Sequence, residues 1–137
     1  MKHDLNEVYK DFEKENITVL PFRFQHLKSV SLGDEKVVGI DRSKIDGCAE
    51  EYTILIHEKG HFDSGAFYTA SSPYLLKEPE RRADRAAILR YIPLEELREC
   101  LAAGMVEIWD LAEYFGVTEA FMRKCVEYYR DTLGMSF

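Results

Sequence analysis

The chain has 137 residues, and 18 Lys and Arg against 25 Asp and Glu give it a formal net charge of −7. This length suits a single domain, and a hydrophobic fraction of 46% is too high for a disordered chain. The acidic balance weighs against binding nucleic acid or an anionic membrane through charge. These values predict a folded domain whose partner is not a polyanion.

The N-terminal residues and the cysteines indicate the cellular location and the kinds of site to expect. Residues 1–7 are too polar for a secretory signal, and no window reaches the ~20 apolar residues that span a bilayer. We therefore expect a cytoplasmic protein with no membrane partner. Cys48, Cys100 and Cys125 form no Cys-x-x-Cys pair. This favours buried free thiols over disulfides or a cysteine zinc site.

The N-terminal third is predicted to be a helix followed by a small sheet. Apolar residues at helical spacing indicate a helix over residues 3–15. Residues 17–24 have the composition of a short strand limited by Pro21. Residues 29–41 are predicted to form two strands around a turn at Gly33 and Asp34. The expected unit is a three-stranded sheet.

From residue 46 onward the pattern is helical. A helix is predicted from about residue 49 to residue 61, against the strand propensity of residues 52–56, because the motif at its end requires a helix. A loop over residues 63–73 follows. Proline, glycine and threonine at suitable cap positions then delimit four more helices, over residues 78–91, 94–103, 108–115 and 118–132. The prediction is one α+β domain over residues 1–137, with a helical C-terminal subregion from about residue 94.

The chemistry concentrates in the pentapeptide His57-Glu-Lys-Gly-His61. Histidines four residues apart lie on one helix face, from which two imidazole nitrogens can bind one zinc ion. Glu58 projects from an adjacent part of the helix and is the candidate general base. A catalytic zinc ion wants three protein ligands and one open position, so the motif alone is incomplete.

The third ligand has to come from downstream. An extended motif with glycine and histidine three and six residues after His61 is excluded, because Ser64 and Phe67 occupy those positions. A carboxylate on the next helix is the other common solution. The candidates are Glu78, Glu80 and Asp84.

Helix packing favours Glu80 among these three. It lies on the same helix face as Ala83 and Ala87, and small residues let a helix approach the motif helix closely. Gly60 on the motif helix favours the same close approach. The predicted zinc ligands are His57, His61 and Glu80.

These motifs resemble the ImmA/IrrE family of metallopeptidases, especially its short phage and mobile-element members. The similarity covers about residues 1–131, and its most specific parts are two helical motifs. They are His57-Glu-Lys-Gly-His61 and Glu80-Arg-Arg-Ala83-Asp84-Arg-Ala-Ala87, which is followed by Ile92-Pro93. It implies a minimal zincin-like fold in which the three ligands bind Zn²⁺ and Glu58 is the base. It also implies a metallo-endopeptidase that cleaves a partner protein such as a phage-type repressor.

Two positions depart from the family pattern. Lys59 replaces an apolar residue inside the motif, and Ala86 stands where the family often has Phe or Trp. Neither removes a ligand or the base, so they bear on packing and substrate fit. Candidates for stabilising the oxyanion are Tyr52, Tyr68 and Tyr74, although tyrosine is also common in cores.

Two other functions remain open at this level. The chain could be a catalytically weak metal-binding domain that regulates a partner by binding it. It could also be a small DNA-binding regulator, because residues 111–124 resemble a helix-turn-helix. That segment belongs to a net-acidic region, which makes DNA binding the weaker prediction. The arginines near Glu80 suit either a solvated helix face or the steering of an acidic substrate segment: Arg81, Arg82, Arg85 and Arg90.

Overall fold

The fold combines a small sheet with helices. A computed structural model describes residues 4–67 and 77–134. The strands in these ranges are β1 Thr18–Pro21, β2 Ser29–Leu32 and β3 Val37–Ile40. The α-helices are α1 Leu5–Lys14, α2 Cys48–Ser64, α3 Lys77–Tyr91, α4 Leu94–Ala102, α5 Ile108–Phe115 and α6 Glu119–Leu133. The α+β class predicted from the sequence is confirmed.

The sheet has the strand order β1-β3-β2. β3 lies in the middle, parallel to β1 and antiparallel to β2. β1 ends at Pro21 and does not continue to residue 24 as predicted. Proline lacks an N–H donor and is tolerated because β1 is an edge strand. In this order β2 lies at the other edge, where it packs against α2.

Helix α2 forms despite its strand-like sequence because its apolar residues bury one helical face. Tyr52, Leu55 and Ile56 are almost completely buried in the core. The helix continues to Ser64, beyond the predicted end, and stops at Gly65 with a φ of 68°. This left-handed conformation suits glycine and ends helices commonly. The remainder of the loop predicted to residue 73 lies largely outside the described residues.

A continuous core joins the N-terminal and C-terminal elements. Val8 and Phe12 of α1, and Val38 and Ile40 of β3, pack in the same cluster as residues of all the later helices. The Tyr129 hydroxyl donates to the Ile92 carbonyl at 2.8 Å and so fastens α6 to the end of α3. The later helices are therefore packed onto the part of the chain that carries the His-Glu-x-x-His motif.

The three cysteines do not share one environment. Buried free thiols are confirmed for Cys100 and Cys125, but the prediction is wrong for Cys48, which is exposed in the first turn of α2. Among the residues described, no helix has the length and hydropathy needed to cross a membrane.

Candidate metal centre

The three predicted ligands converge between α2 and α3. His57 Nε2 lies 2.7 Å from Glu80 Oε2, and His61 Nε2 lies 3.1 Å from Glu80 Oε1. One ligand atom from each residue lies within 4.8 Å of the other two. Two imidazoles and a carboxylate are a donor set of catalytic zinc sites. These residues therefore fit a metal ion, whose identity stays a prediction.

The close packing of α2 on α3 brings Glu80 to the histidines. A Cβ atom placed on Gly60 would lie 2.1 Å from the Ala83 carbonyl oxygen, far inside van der Waals contact. Only a glycine allows this separation of the two backbones. Ala83 and Ala87 are fully buried on the facing side of α3. The small-residue face used to select Glu80 is thus the contact face of α3.

The other nitrogen of each imidazole is held by the protein. His57 Nδ1 is 2.7 Å from Asp84 Oδ1, and His61 Nδ1 donates to the Ala66 carbonyl at 2.6 Å. Such bonds fix the ring orientation and leave Nε2 for a metal. Asp84, a candidate ligand, thus contacts Nδ1 of His57 and not the Nε2 atom that faces Glu80. Glu78 is exposed and outside the cluster.

Glu58 is buried beside the histidines, with 5% of its surface exposed. Ser31 Oγ donates to its Oε1 at 2.7 Å, and Ser29 Oγ donates to Oε2. Its Oε1 lies 3.9 Å from His61 Nε2. Strand β2 therefore holds the carboxylate next to the metal ligands. The sequence analysis did not identify either serine as a site residue. The available signal was their spacing of two along β2, which places both on one face of the strand.

The carboxylates change the protonation of the metal-free histidines. Burial alone would lower the pKa of His57, but hydrogen bonds with Asp84 and Glu80 raise it to about 10. The pKa of His61 is also raised, because its bonds with Glu80 and Ala66 outweigh its burial. Without a metal, the protonated His57 bridges two carboxylates at neutral pH.

The metal-free protein should therefore lose stability as the pH rises from 6.5 towards about 10. A raised folded-state pKa adds stability that is complete below the unfolded pKa and is lost as the pH rises through the folded pKa. Zinc needs the neutral imidazole, so its affinity should increase over the same window. Thermal melts and chelator titrations across this window test both slopes. A pH dependence that is unchanged in His57→Gln would contradict the assignment.

Lys59 lies on the side of α2 that faces α1. Its side chain is fully buried and its ammonium pairs with Glu15 and, at 2.5 Å, with Asp63. Arg90 of α3 also bonds Asp63, at 3.0 Å. This ion-pair cluster explains how a charged residue is accommodated inside the motif. Its partners are outside the metal cluster.

The oxyanion candidates have separate outcomes. The Tyr52 hydroxyl is buried without a hydrogen-bond partner among the described residues, and Glu7 and Asp11 of α1 add to the burial that raises its pKa. Tyr52 therefore belongs to the core beside α1, the more common place for a tyrosine, and it does not line either pocket next to the candidate ligands. Tyr68 and Tyr74 lie outside the described residues.

Open pockets flank the ligands on two sides. The first, of about 330 Å³, lies towards α6, and its lining includes Thr53, His57, Glu80, Asp84, Phe121 and Lys124. The second, of about 450 Å³, lies towards β2, and its lining includes Leu27, Val30, His57, Glu58, His61 and Glu80. Both pockets share His57 and Glu80, and together they are called the metal cleft.

Comparisons with protein-family models, curated protein sequences and solved structures found no match to this chain. The ImmA/IrrE resemblance stays a prediction.

Proposed function

We propose that this chain is a zinc-dependent metallo-endopeptidase of the ImmA/IrrE type, with a minimal zincin-like fold. The observation that carries the proposal is the convergence of His57, His61 and Glu80 with the Glu58 carboxylate held beside them. A structural metal site needs no buried carboxylate next to its ligands. Hydrolysis needs one, because a base must take a proton from the attacking water.

The roles of the residues follow from their positions. Bound by the three ligands, Zn²⁺ would polarise the scissile carbonyl and acidify the attacking water. Glu58 accepts a proton from that water and passes it to the leaving amine. Ser29 and Ser31 orient this carboxylate through their hydroxyl donors. Asp84 orients His57 by accepting a hydrogen bond from its Nδ1.

The shape of the cleft favours a polypeptide substrate. Pockets on both sides of the ligands leave room for chain to extend in two directions from the scissile bond. The sequence resemblance suggests a specific partner protein, such as a phage-type repressor. A peptidase with one dedicated partner would cleave generic substrates poorly, so its test should not depend on them.

Glu58→Gln is expected to keep zinc bound while cleavage falls by about 10²–10⁴-fold, the usual contribution of a general base. The assay incubates zinc-loaded protein with lysate of its host and identifies new protein N-termini by mass spectrometry. Metal analysis of the same samples measures the zinc content. The matched control is Glu13→Gln, an exposed position on α1.

The outcomes separate the enzyme from a regulator that acts by binding. New N-termini that appear with wild type and Glu13→Gln, but not with Glu58→Gln, support the peptidase. Identical N-termini with Glu58→Gln would reject Glu58 as the base. A Glu58→Gln variant that still regulates its partner fully would favour the non-catalytic alternative.

The helix-turn-helix alternative receives less support from α6. Phe121 and Lys124 line the pocket beside the metal ligands, so the first turns of α6 form a wall of the cleft. Lys124 pairs with Asp84 at 3.2 Å, and Arg123 lies 3.9 Å from Glu119. Phosphate binding would compete with these pairs. DNA binding with a steep salt dependence would favour the DNA-binding regulator over the peptidase.

A further inference from the structure

A smaller pocket adjoins the metal cleft between α3 and α6. Its volume is about 260 Å³, and its lining is Arg81, Asp84, Arg85, Ile88, Lys124 and Tyr128. Asp84 and Lys124 also line the pocket next to the metal ligands. A polypeptide lying across the ligands could therefore place one of its side chains here.

The charge of this pocket is opposite to that of the chain. Three cationic side chains line it with one carboxylate, and that carboxylate already bonds His57 and Lys124. Arg81 and Arg85 are exposed and have no ion pair or hydrogen bond within the described parts of the chain. By contrast, Lys59 and Arg90 pair with carboxylates.

Two unpaired guanidinium groups one helical turn apart repel each other. An anionic group between them would remove that repulsion and could accept paired hydrogen bonds from an arginine. Ile88 and the half-buried Tyr128 add an apolar wall. Together these features suit a carboxylate on a short apolar stem.

We propose that this pocket is a specificity subsite for a Glu or Asp side chain in the substrate protein, close to the scissile bond. The proposal rests on the peptidase function above. Of the four arginines near Glu80, only Arg81 and Arg85 line the pocket. The proposal therefore assigns these two to binding an acidic substrate segment. A nucleic acid is the less suitable occupant, since the formal charge of −7 would repel its other phosphates.

The test is a selection from mRNA-displayed random peptides that encode acidic and basic residues equally often. The bait is the zinc-loaded Glu58→Gln protein, which should retain peptides without cutting them. We expect Asp and Glu to be enriched about tenfold at one position, the size of one charge-assisted hydrogen bond. Adding Arg81→Glu and Arg85→Glu should abolish that enrichment and favour Lys or Arg there.

The control is Arg82→Glu, which makes the same charge change on the same helix. Arg82 is exposed and unpaired within the described residues, but it does not line the pocket. With this bait, the enrichment of Asp and Glu should equal that obtained with the Glu58→Gln protein alone. Circular dichroism checks the fold of each variant, and an Arg81→Gln and Arg85→Gln pair tests loss of charge without reversal.

Several results would overturn the subsite. One is a selection that enriches no peptide, or enriches peptides without a preference for Asp or Glu. Another is an enrichment of Asp and Glu that persists after both arginine changes. A third is an equal loss of that enrichment in Arg82→Glu. Binding of random duplex DNA that disappears with Arg81→Glu and Arg85→Glu would assign the pocket to phosphate instead. The proposed function fails separately: acidic peptides would then bind, but no cleavage in lysate would depend on Glu58.

Discussion

Gly60→Ala is expected to lower the free energy of unfolding by about 1–3 kcal/mol, the usual cost of overpacking a core. The added Cβ would lie 2.1 Å from the Ala83 carbonyl oxygen, so α2 and α3 would have to separate. Glu80 lies one turn before Ala83, and its carboxylate would move away from the histidines. We therefore also expect zinc affinity to fall by about tenfold or more, as for other changes that displace ligands.

The sign of this effect is diagnostic. In an ordinary helix interior, replacing glycine by alanine stabilises by about 1 kcal/mol, because glycine has the greater backbone entropy to lose. Urea unfolding of the metal-free protein measures the stability, and competition with a zinc chelator measures the affinity. A stabilised variant with unchanged affinity would show that the two helices need no such close approach.

Glu80→Ala is expected to weaken zinc binding by at least about a hundredfold, since it removes a ligand rather than a group that supports one. The affinity is measured by chelator competition and the zinc content by elemental analysis. The matched control is Glu78→Ala, two residues earlier on α3, because Glu78 is exposed and outside the metal cluster. Its zinc affinity should equal that of the wild type.

An unchanged affinity in Glu80→Ala would reject it as the third ligand. Asp84 would then be the carboxylate to test, since it lines the pocket that also contains His57 and Glu80. Equal losses in Glu78→Ala and Glu80→Ala would instead indicate a general electrostatic effect of α3.

How well each part of the fold could be predicted depended on how far apart in the sequence the interacting residues lie. Helices and strands were placed well because apolar spacing and caps act within a few residues. The strand propensity of residues 52–56 was the misleading local signal, and burial of Leu55 and Ile56 overrode it. The parallel pairing of β1 with β3 joins segments separated by a whole strand, and no local pattern specifies such pairing.

By itself, the sequence determined the candidate ligands. The spacing of His57 and His61 fixes their shared helix face, and the small-residue face of α3 selects Glu80. The tertiary structure decided the surroundings of the ligands. Only packing shows that Ser29 and Ser31 hold Glu58, and that Arg81 and Arg85 share a pocket with Lys124. Ligand spacing is set within one helix, whereas hydrogen bonds and pockets between elements depend on contacts between residues far apart in the chain.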